Sequence, residues 1–187
     1  MDAGQSLARL KEGNARYAGG KRKEYDLPAR RAELAAGQHP FVTILSCSDS
    51  RVVPEFIFDA QAGEIFVVRT AGNVAGAIDL GSLEYGCEHL HTPLLVVMGH
   101  SGCGAVKATC ECKGRGGEGN IKSIVEAVAP AAGKKSFSPA ESVACNVECS
   151  IENIRQKSHI VSHLEKEGRL KIMGALYSLE TGRVEFI

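Results

Sequence analysis

The sequence has no excess of charge of either sign and no long apolar segment. Its 187 residues include 22 basic and 22 acidic side chains, so the formal net charge is zero. Proteins that bind nucleic acid or anionic lipid surfaces by general electrostatic attraction carry a surplus of lysine and arginine. The apolar runs, of which residues 93–98 form one of the longest, fall well short of the roughly 20 residues of a membrane-spanning helix. We therefore expect neither nucleic acid nor a membrane as a partner.

The first 20 residues also lack the features of a secretory signal peptide, because charged and apolar residues alternate there. The expected location is therefore the cytoplasm. The sequence contains seven cysteines, which in a reducing compartment stay free for packing, metal binding or redox chemistry. An odd number also excludes complete pairing into internal disulfides.

Hydrophobic patterning predicts an α/β fold with a mostly parallel central sheet. Residues 41–46, 64–69 and 93–99 form continuous apolar runs, which are typical of parallel strands covered by helices on both faces. Between the second and third runs, apolar positions over 77–91 recur every three or four residues, as on one face of a helix. A strand, a helix and a strand in this order form a β-α-β unit.

The ends of the chain complete the predicted domain. Residues 1–36 are expected to form a helical arm, in which one helix covers 2–18 and a second ends before Gly37. The arm is the candidate dimerisation element, since its apolar faces precede the sheet. No linker of domain size and no internal repeat is present, so we predict a single domain over 1–187.

The C-terminal half begins with a glycine-rich loop at 113–120. Two helices are predicted to follow, the second with one apolar stripe that runs from residue 143 to residue 164. Residues 169–178 and 183–187 are predicted to form a closing pair of strands.

Two short motifs follow predicted strands and carry the candidate chemistry. Cys47 ends the first strand within Cys-Ser-Asp-Ser-Arg, and His100 ends the third within His-Ser-Gly-Cys-Gly, which contains Cys103. Ligands of open α/β sheets bind beyond the carboxyl ends of the strands, where these two segments are expected to meet. Thiolate and imidazole are preferred zinc ligands, and three protein ligands leave a fourth position for water, as in catalytic sites. The motifs predict one Zn²⁺ per chain on these three side chains.

Asp49 and Arg51, in the first motif, are the candidate catalytic pair. An arginine can hold a carboxylate by two parallel hydrogen bonds. A carboxylate held in this way could orient hydroxide that a zinc ion generates from water near neutral pH. A loop salt bridge without a catalytic role is the alternative. Gly102, which permits close approach of the backbone, is a candidate substrate contact.

Together these residues resemble the signature of the β-class carbonic anhydrases. The family signature is matched by Cys-Ser-Asp-Ser-Arg at 47–51 and Gly-His-Ser-Gly-Cys-Gly at 99–104. The resemblance extends over nearly the whole chain, with further segments in the same order. These segments are Leu-Lys-Glu-Gly-Asn at 10–14, Gly-Glu-Ile-Phe-Val-Val-Arg at 63–69, Ala-Gly-Asn at 71–73, Gly-Ser-Leu-Glu-Tyr at 81–85 and Gly-Ala-Leu-Tyr at 174–177.

The resemblance implies an enzyme that reversibly hydrates carbon dioxide to bicarbonate and a proton. It implies zinc on Cys47, His100 and Cys103, with Asp49 and Arg51 as a dyad. It also implies a homodimer in which the N-terminal helices embrace the partner, often paired again into a homotetramer.

Details of the resemblance favour the plant-like branch of the family, whose zinc stays open to substrate. Gln38 matches a glutamine that binds bicarbonate in that branch, although a plain surface glutamine is an equal alternative. Some bacterial members have an inhibitory bicarbonate pocket that uses a tryptophan. This sequence has no tryptophan, although Arg69 matches the arginine of that pocket. We therefore expect Asp49 to pair with Arg51 and leave the fourth zinc position open.

Three other functions would use parts of the same constellation. Hydrolysis of carbon disulfide or carbonyl sulfide would use the same zinc site behind a differently shaped access tunnel. A non-catalytic zinc protein would need Asp49 as a permanent fourth ligand. A cysteine-nucleophile hydrolase would use Cys103 with His100.

The remaining cysteines are assigned no function by the sequence. Cys145 and Cys149 are four residues apart on a predicted helix, a spacing that could seat a second metal. Packing is the favoured interpretation, since no nearby histidine pair completes a site. Cys110 and Cys112 are predicted to be incidental thiols because their spacing is not that of a Cys-x-x-Cys redox motif. Cys87 falls on the apolar face of the helix predicted over 77–91.

Overall fold

A computed structural model describes residues 1–187 and contains one five-stranded sheet. Its strands are β1 (Val42–Cys47), β2 (Ile65–Thr70), β3 (Leu94–His100), β4 (Lys171–Tyr177) and β5 (Val184–Phe186). The spatial order is β2-β1-β3-β4-β5. All neighbouring pairs are parallel except β4 and β5, which are antiparallel. The predicted fold class, a mostly parallel sheet flanked by helices, is confirmed.

Helices cover both faces of this sheet. They are α1 (Ala3–Ala18), α2 (Leu27–Glu33), α3 (Pro54–Ile57), α4 (Ala77–Glu84), α5 (Gly104–Glu111), α6 (Ile121–Lys134), α7 (Pro139–Lys157) and α8 (His159–Lys166). Short 3-10 turns occupy Leu34–Ala36 and Ala71–Asn73, and a π-helical turn at Tyr85–His89 extends α4. None of the helices combines the length and the apolar character that crossing a lipid bilayer requires. The sequence gave no prediction of α3 and α5, because four and eight residues are too few for a clear helical repeat.

The two central strands, β1 and β3, are buried along their whole length. Successive side chains of a strand point to opposite faces of the sheet. Ile44 and Val96 accordingly pack into a core on one side, and Leu45 and Val97 pack into a second core on the other side. Burial on both faces explains why these strands are apolar at consecutive rather than alternate positions.

The apolar stripe predicted for a single helix is divided between two helices. The stripe itself is buried, from Val147 through Ile154 to Leu164. At Ser158 the backbone becomes extended, and the Ser158 hydroxyl accepts a hydrogen bond from the Val161 amide, which begins α8. The prediction of one continuous helix was therefore wrong, because serine at this position acts as an N-cap.

The first helix of the N-terminal arm belongs to the core of its own chain. Leu10 of α1 is fully buried, and the Asn14 side chain binds the backbone of Ile57, Gly182 and Val184. By contrast, α2 contains no buried residue. The apolar face of α1 therefore needs no partner to cover it, and the predicted dimerisation role narrows to α2.

Candidate metal centre

The three predicted ligands come together at the carboxyl ends of β1 and β3, which are neighbouring parallel strands. The chain turns after His100, with Gly102 at a φ of +66°, and places Cys103 at the N-cap of α5. The ligand atoms of Cys47, His100 and Cys103 all lie within 4.8 Å of one another. The most exposed of the three residues is Cys47, at 4%. The topology thus produces the convergence that the sequence predicts.

The imidazole of His100 is oriented for metal binding. Its Nδ1 lies 2.9 Å from the carbonyl oxygen of Ser101. Because a carbonyl can only accept, Nδ1 carries the hydrogen and Nε2 presents its lone pair. Nε2 is buried and has no hydrogen-bond partner in the chain. Such an atom is unfavourable in a protein interior unless something pairs with it, and a cation would do so.

The two thiols are electrostatically coupled. The hydrogen bond with Cys103 lowers the pKa of Cys47 to about 4, while the same hydrogen bond and burial raise the pKa of Cys103. Burial opposes charge on His100, but the hydrogen bond with Cys47 and its negative charge outweigh that effect and raise the imidazole pKa. Without a cation, the cluster therefore holds protons between closely spaced donors, and a metal ion would replace those protons.

The surroundings of the cluster also fit a metal. The Gly72 N–H donates to Cys47 Sγ at 3.4 Å, as expected of a backbone donor beside a thiolate. Apolar residues enclose the two thiols and restrict water. The buried members of this shell are Val106, Cys110, Val128, Ala132 and Val143. Two sulfurs and one imidazole nitrogen in a dry pocket suit a thiophilic divalent cation.

Asp49 lies beside the cluster but is held by Arg51. The Arg51 Nε and Nη2 atoms donate to the two carboxylate oxygens at 2.9 and 2.7 Å, and the Arg51 amide donates to Oδ1 at 3.0 Å. Oδ2 of Asp49 is 4.0 Å from His100 Nε2. The hydrogen bonds from Arg51 hold the pKa of Asp49 well below its usual range, against the effect of burial. Asp49 is therefore an ionised acceptor next to the candidate metal position.

Arg69 has a role that sequence reasoning missed. Its Nε and Nη2 donate to the carbonyl oxygens of Cys47 and Asp49 at 3.0 and 2.7 Å. These bonds fix the backbone that carries a thiol and a carboxylate of the site. The available signal was the strand register, since Arg69 on β2 lies opposite Ser46 on β1.

The two candidate substrate contacts lie in different places. Gly102 is in the turn between His100 and Cys103, at the cluster. Gln38 is exposed and precedes β1, whose far end carries Cys47. A strand of six residues spans roughly 20 Å, so Gln38 does not reach the site of its own chain. Both roles remain predictions.

The other cysteines form no second metal site. Cys145 is buried and Cys149 is partly exposed, with Lys134 Nζ 3.5 Å from its sulfur. Only one group of three metal-ligating side chains converges in the chain, and neither residue belongs to it. Cys110 is buried and Cys112 is partly exposed, and both are free thiols.

Comparison of the sequence with known proteins agrees with this site. A family model described as carbonic anhydrase matches residues 42–184, a range that includes all three candidate ligands. A carbonic anhydrase from Mycolicibacterium smegmatis is 39% identical over 183 residues, which cover 94% of this chain and 89% of the relative.

Solved structures show the same fold. A Coccomyxa β-carbonic anhydrase in complex with acetazolamide superposes with a TM-score of 0.71 at 28% identity, and the match covers 96% of this chain and 85% of that one. A tetrameric β-carbonic anhydrase from Sordaria macrospora gives a TM-score of 0.76 at 24% identity, covering 98% and 97%.

Sequence and structure thus define an enzyme class, the carbonic anhydrases. The chain belongs to the β-carbonic anhydrase family. The relatives and structural neighbours described above are carbonic anhydrases, and none supports carbon disulfide or carbonyl sulfide as the substrate.

Proposed function

We propose that this enzyme reversibly hydrates carbon dioxide to bicarbonate and a proton, using one Zn²⁺ per chain on Cys47, His100 and Cys103. The observation that carries the proposal is the buried, unpaired Nε2 of His100, which faces two thiols within 4.8 Å. When bound, zinc supplies a Lewis acid that generates hydroxide from water near neutral pH. The donor set favours zinc over hard cations such as Mg²⁺, which prefer oxygen ligands.

The residues around the ligands have distinct roles in this proposal. Asp49 stays ionised and accepts a hydrogen bond from the attacking oxygen, while Arg51 keeps its carboxylate in place. Arg69 holds the backbone of both Cys47 and Asp49 through their carbonyl groups. The apolar shell admits carbon dioxide, which has no charge, and strengthens the electrostatic interactions of the site by excluding water.

The fourth metal position is open in this proposal. Its support is the bidentate pair, in which Arg51 donates to both carboxylate oxygens of Asp49. Charge favours the same arrangement, because two thiolates already neutralise a divalent cation and a third anion would gain less. The absence of tryptophan and the match at Gln38 agree with the plant-like pattern.

Association of at least two copies completes the site in this proposal. Gln38 follows the exposed α2 and lies at the wrong end of β1 to reach its own Cys47. A partner chain is the available way to bring a glutamine to the substrate. The Sordaria macrospora relative is described as tetrameric. We place the enzyme in the cytoplasm, where its seven free thiols would stay reduced.

Replacement of the ligands tests the proposed function. Cys47→Ser and Cys103→Ser should each lose most of the zinc and nearly all carbon dioxide hydration, because a hydroxyl is a poor substitute for a thiolate ligand. Zinc is measured by elemental analysis and hydration by stopped-flow pH change, with carbon disulfide and carbonyl sulfide assayed in parallel.

Cys112→Ser is the matched control, since Cys112 is a partly exposed thiol outside the cluster. It should keep the zinc content and activity of the wild type. Full zinc occupancy in both ligand variants would show that the metal site is assigned to the wrong residues. Faster turnover of carbon disulfide than of carbon dioxide would overturn the substrate assignment.

A further inference from the structure

Helix α7 holds the segment that joins β2 to α4 through two asparagine side chains. Asn146 Nδ2 donates to the carbonyl oxygen of Gly72 at 2.7 Å, and Asn153 Nδ2 donates to that of Ala75 at 3.2 Å. The two asparagines are seven residues apart, which is about two helical turns, so they lie on the same face of α7. One helix face therefore fixes two carbonyl groups of residues 71–76.

Only the first of these contacts leads to the metal centre. The Gly72 N–H donates to Cys47 Sγ, and this N–H and the carbonyl held by Asn146 flank the same Cα atom. Gly72 has a φ of +78°, and a side chain at this position would crowd Ala105 at 3.1 Å and Val128 at 3.3 Å. A glycine leaves the backbone direction free, so the contacts around Gly72 must fix where its N–H points.

The environment of Asn146 indicates that its N–H donor is what the site requires. The residue is 1% exposed, and its Oδ1 has no hydrogen-bond partner in the chain. A buried, unpaired amide oxygen is unfavourable, and an apolar side chain of the same shape would avoid it. The stability of α7 alone therefore does not explain an asparagine at this position.

We propose that Asn146 is a positioning residue for the thiolate of Cys47. By holding the Gly72 carbonyl, it directs the Gly72 N–H at the sulfur, and this hydrogen bond orients the sulfur and withdraws charge from it. Outer-shell partners of this kind commonly change metal affinity about 10–100-fold when they are removed. The inference rests on the proposed role of Cys47 as a metal ligand.

The test compares Asn146→Ala and Asn146→Leu with Asn153→Ala. Leucine preserves the shape of asparagine, so one variant remains informative if the alanine variant does not fold. The Asn153 variant removes the same type of bond from the same helix face, but to a carbonyl with no link to Cys47. The first readout is the rate of zinc transfer to a chelator. The second is the sulfur-to-cobalt charge-transfer band of the Co²⁺-substituted protein.

Both Asn146 variants should release zinc about 10-fold faster than the wild type or more and should shift the charge-transfer band. Asn153→Ala should leave both readouts near those of the wild type, even if its melting temperature falls equally. Release rates and bands of the Asn146 variants equal to those of Asn153→Ala would overturn the positioning role alone. Full metal retention by Cys47→Ser would overturn this inference together with the proposed function.

Discussion

At the scale of single residues, Arg51 controls where the Asp49 carboxylate points. The arginine side chain is 59% exposed, so the ion pair contributes little to folding stability. Its effect lies in geometry, because the planar guanidinium engages both oxygens at once. Without it, the carboxylate is free to turn toward the metal.

Arg51→Ala should therefore lower turnover by roughly 10-fold or more without much loss of zinc. The physical reason is that Asp49, once released, can occupy the open metal position as a fourth ligand. Hydration rate and zinc content are measured on the same preparation, and a crystal structure shows whether an Asp49 oxygen reaches about 2.0–2.2 Å from the metal.

Arg51→Lys is the control, because it keeps the charge and loses the two-pronged geometry. Its turnover should fall between those of the wild type and the alanine variant. Wild-type turnover in Arg51→Ala would exclude a catalytic role for the pair. A direct Asp49–zinc bond in the wild-type crystal structure near neutral pH would contradict the open site.

At the scale of elements, the contact of α1 with the rest of the chain depends on a glycine. A methyl group at Gly13 would lie 1.9 Å from the carbonyl oxygen of Phe58, which is backbone and cannot move aside cheaply. The same turn of α1 places Asn14 against three other backbone groups. The close approach of helix and backbone therefore requires the absence of a side chain at position 13.

Gly13→Ala should destabilise the fold by about 1–3 kcal/mol, the usual effect of overpacking. For a domain of this size, this corresponds to a fall in melting temperature of very roughly 2–12 °C. Gly81→Ala is the matched control, since Gly81 is also helical and a methyl group there meets nothing within 4 Å. That variant should be neutral or more stable, because alanine favours helix. Equal melting temperatures for the two variants would contradict the proposed packing of α1.

At the scale of the whole molecule, the exposed α2 is the candidate surface for association. This helix buries none of its residues, and Leu27 at its start is 64% exposed. An apolar side chain left in water on an otherwise unsupported helix favours contact with a second copy. The following residues include Gln38, whose proposed role needs a partner chain.

Light scattering should show a homodimer or a multiple of it at micromolar concentration, with no dominant monomer. Leu27→Glu should weaken this association and lower activity with it, since an interface with a buried unpaired charge is unfavourable. Ile160→Glu is the control, because Ile160 is also exposed but lies on α8. A wild-type monomer with full activity would refute both the interface and the role of Gln38.

The sequence by itself determined the sheet and the candidate ligands. The strands β1 and β3 are buried on both faces, so every residue in them is under the same requirement to be apolar, and the run is visible in the chain. Parallel strands end at the same edge of a sheet, so the positions of Cys47 and His100 after two such runs were enough to predict that they meet. Asp49 and Arg51 are two residues apart, and their pairing needed only local geometry.

Only the tertiary structure decided how the site is supported. Asn146 and Gly72 are 74 residues apart, and Arg69 and Cys47 are 22 apart. Contacts of this kind depend on how helices and strands pack, and they leave no periodic signal in the chain. The same holds for the packing of α1, whose apolar face suits its own core or a partner equally well until the fold places Phe58 against Gly13. Local patterns therefore specify which elements form, whereas long-range packing determines which backbone groups hold the candidate ligands in place.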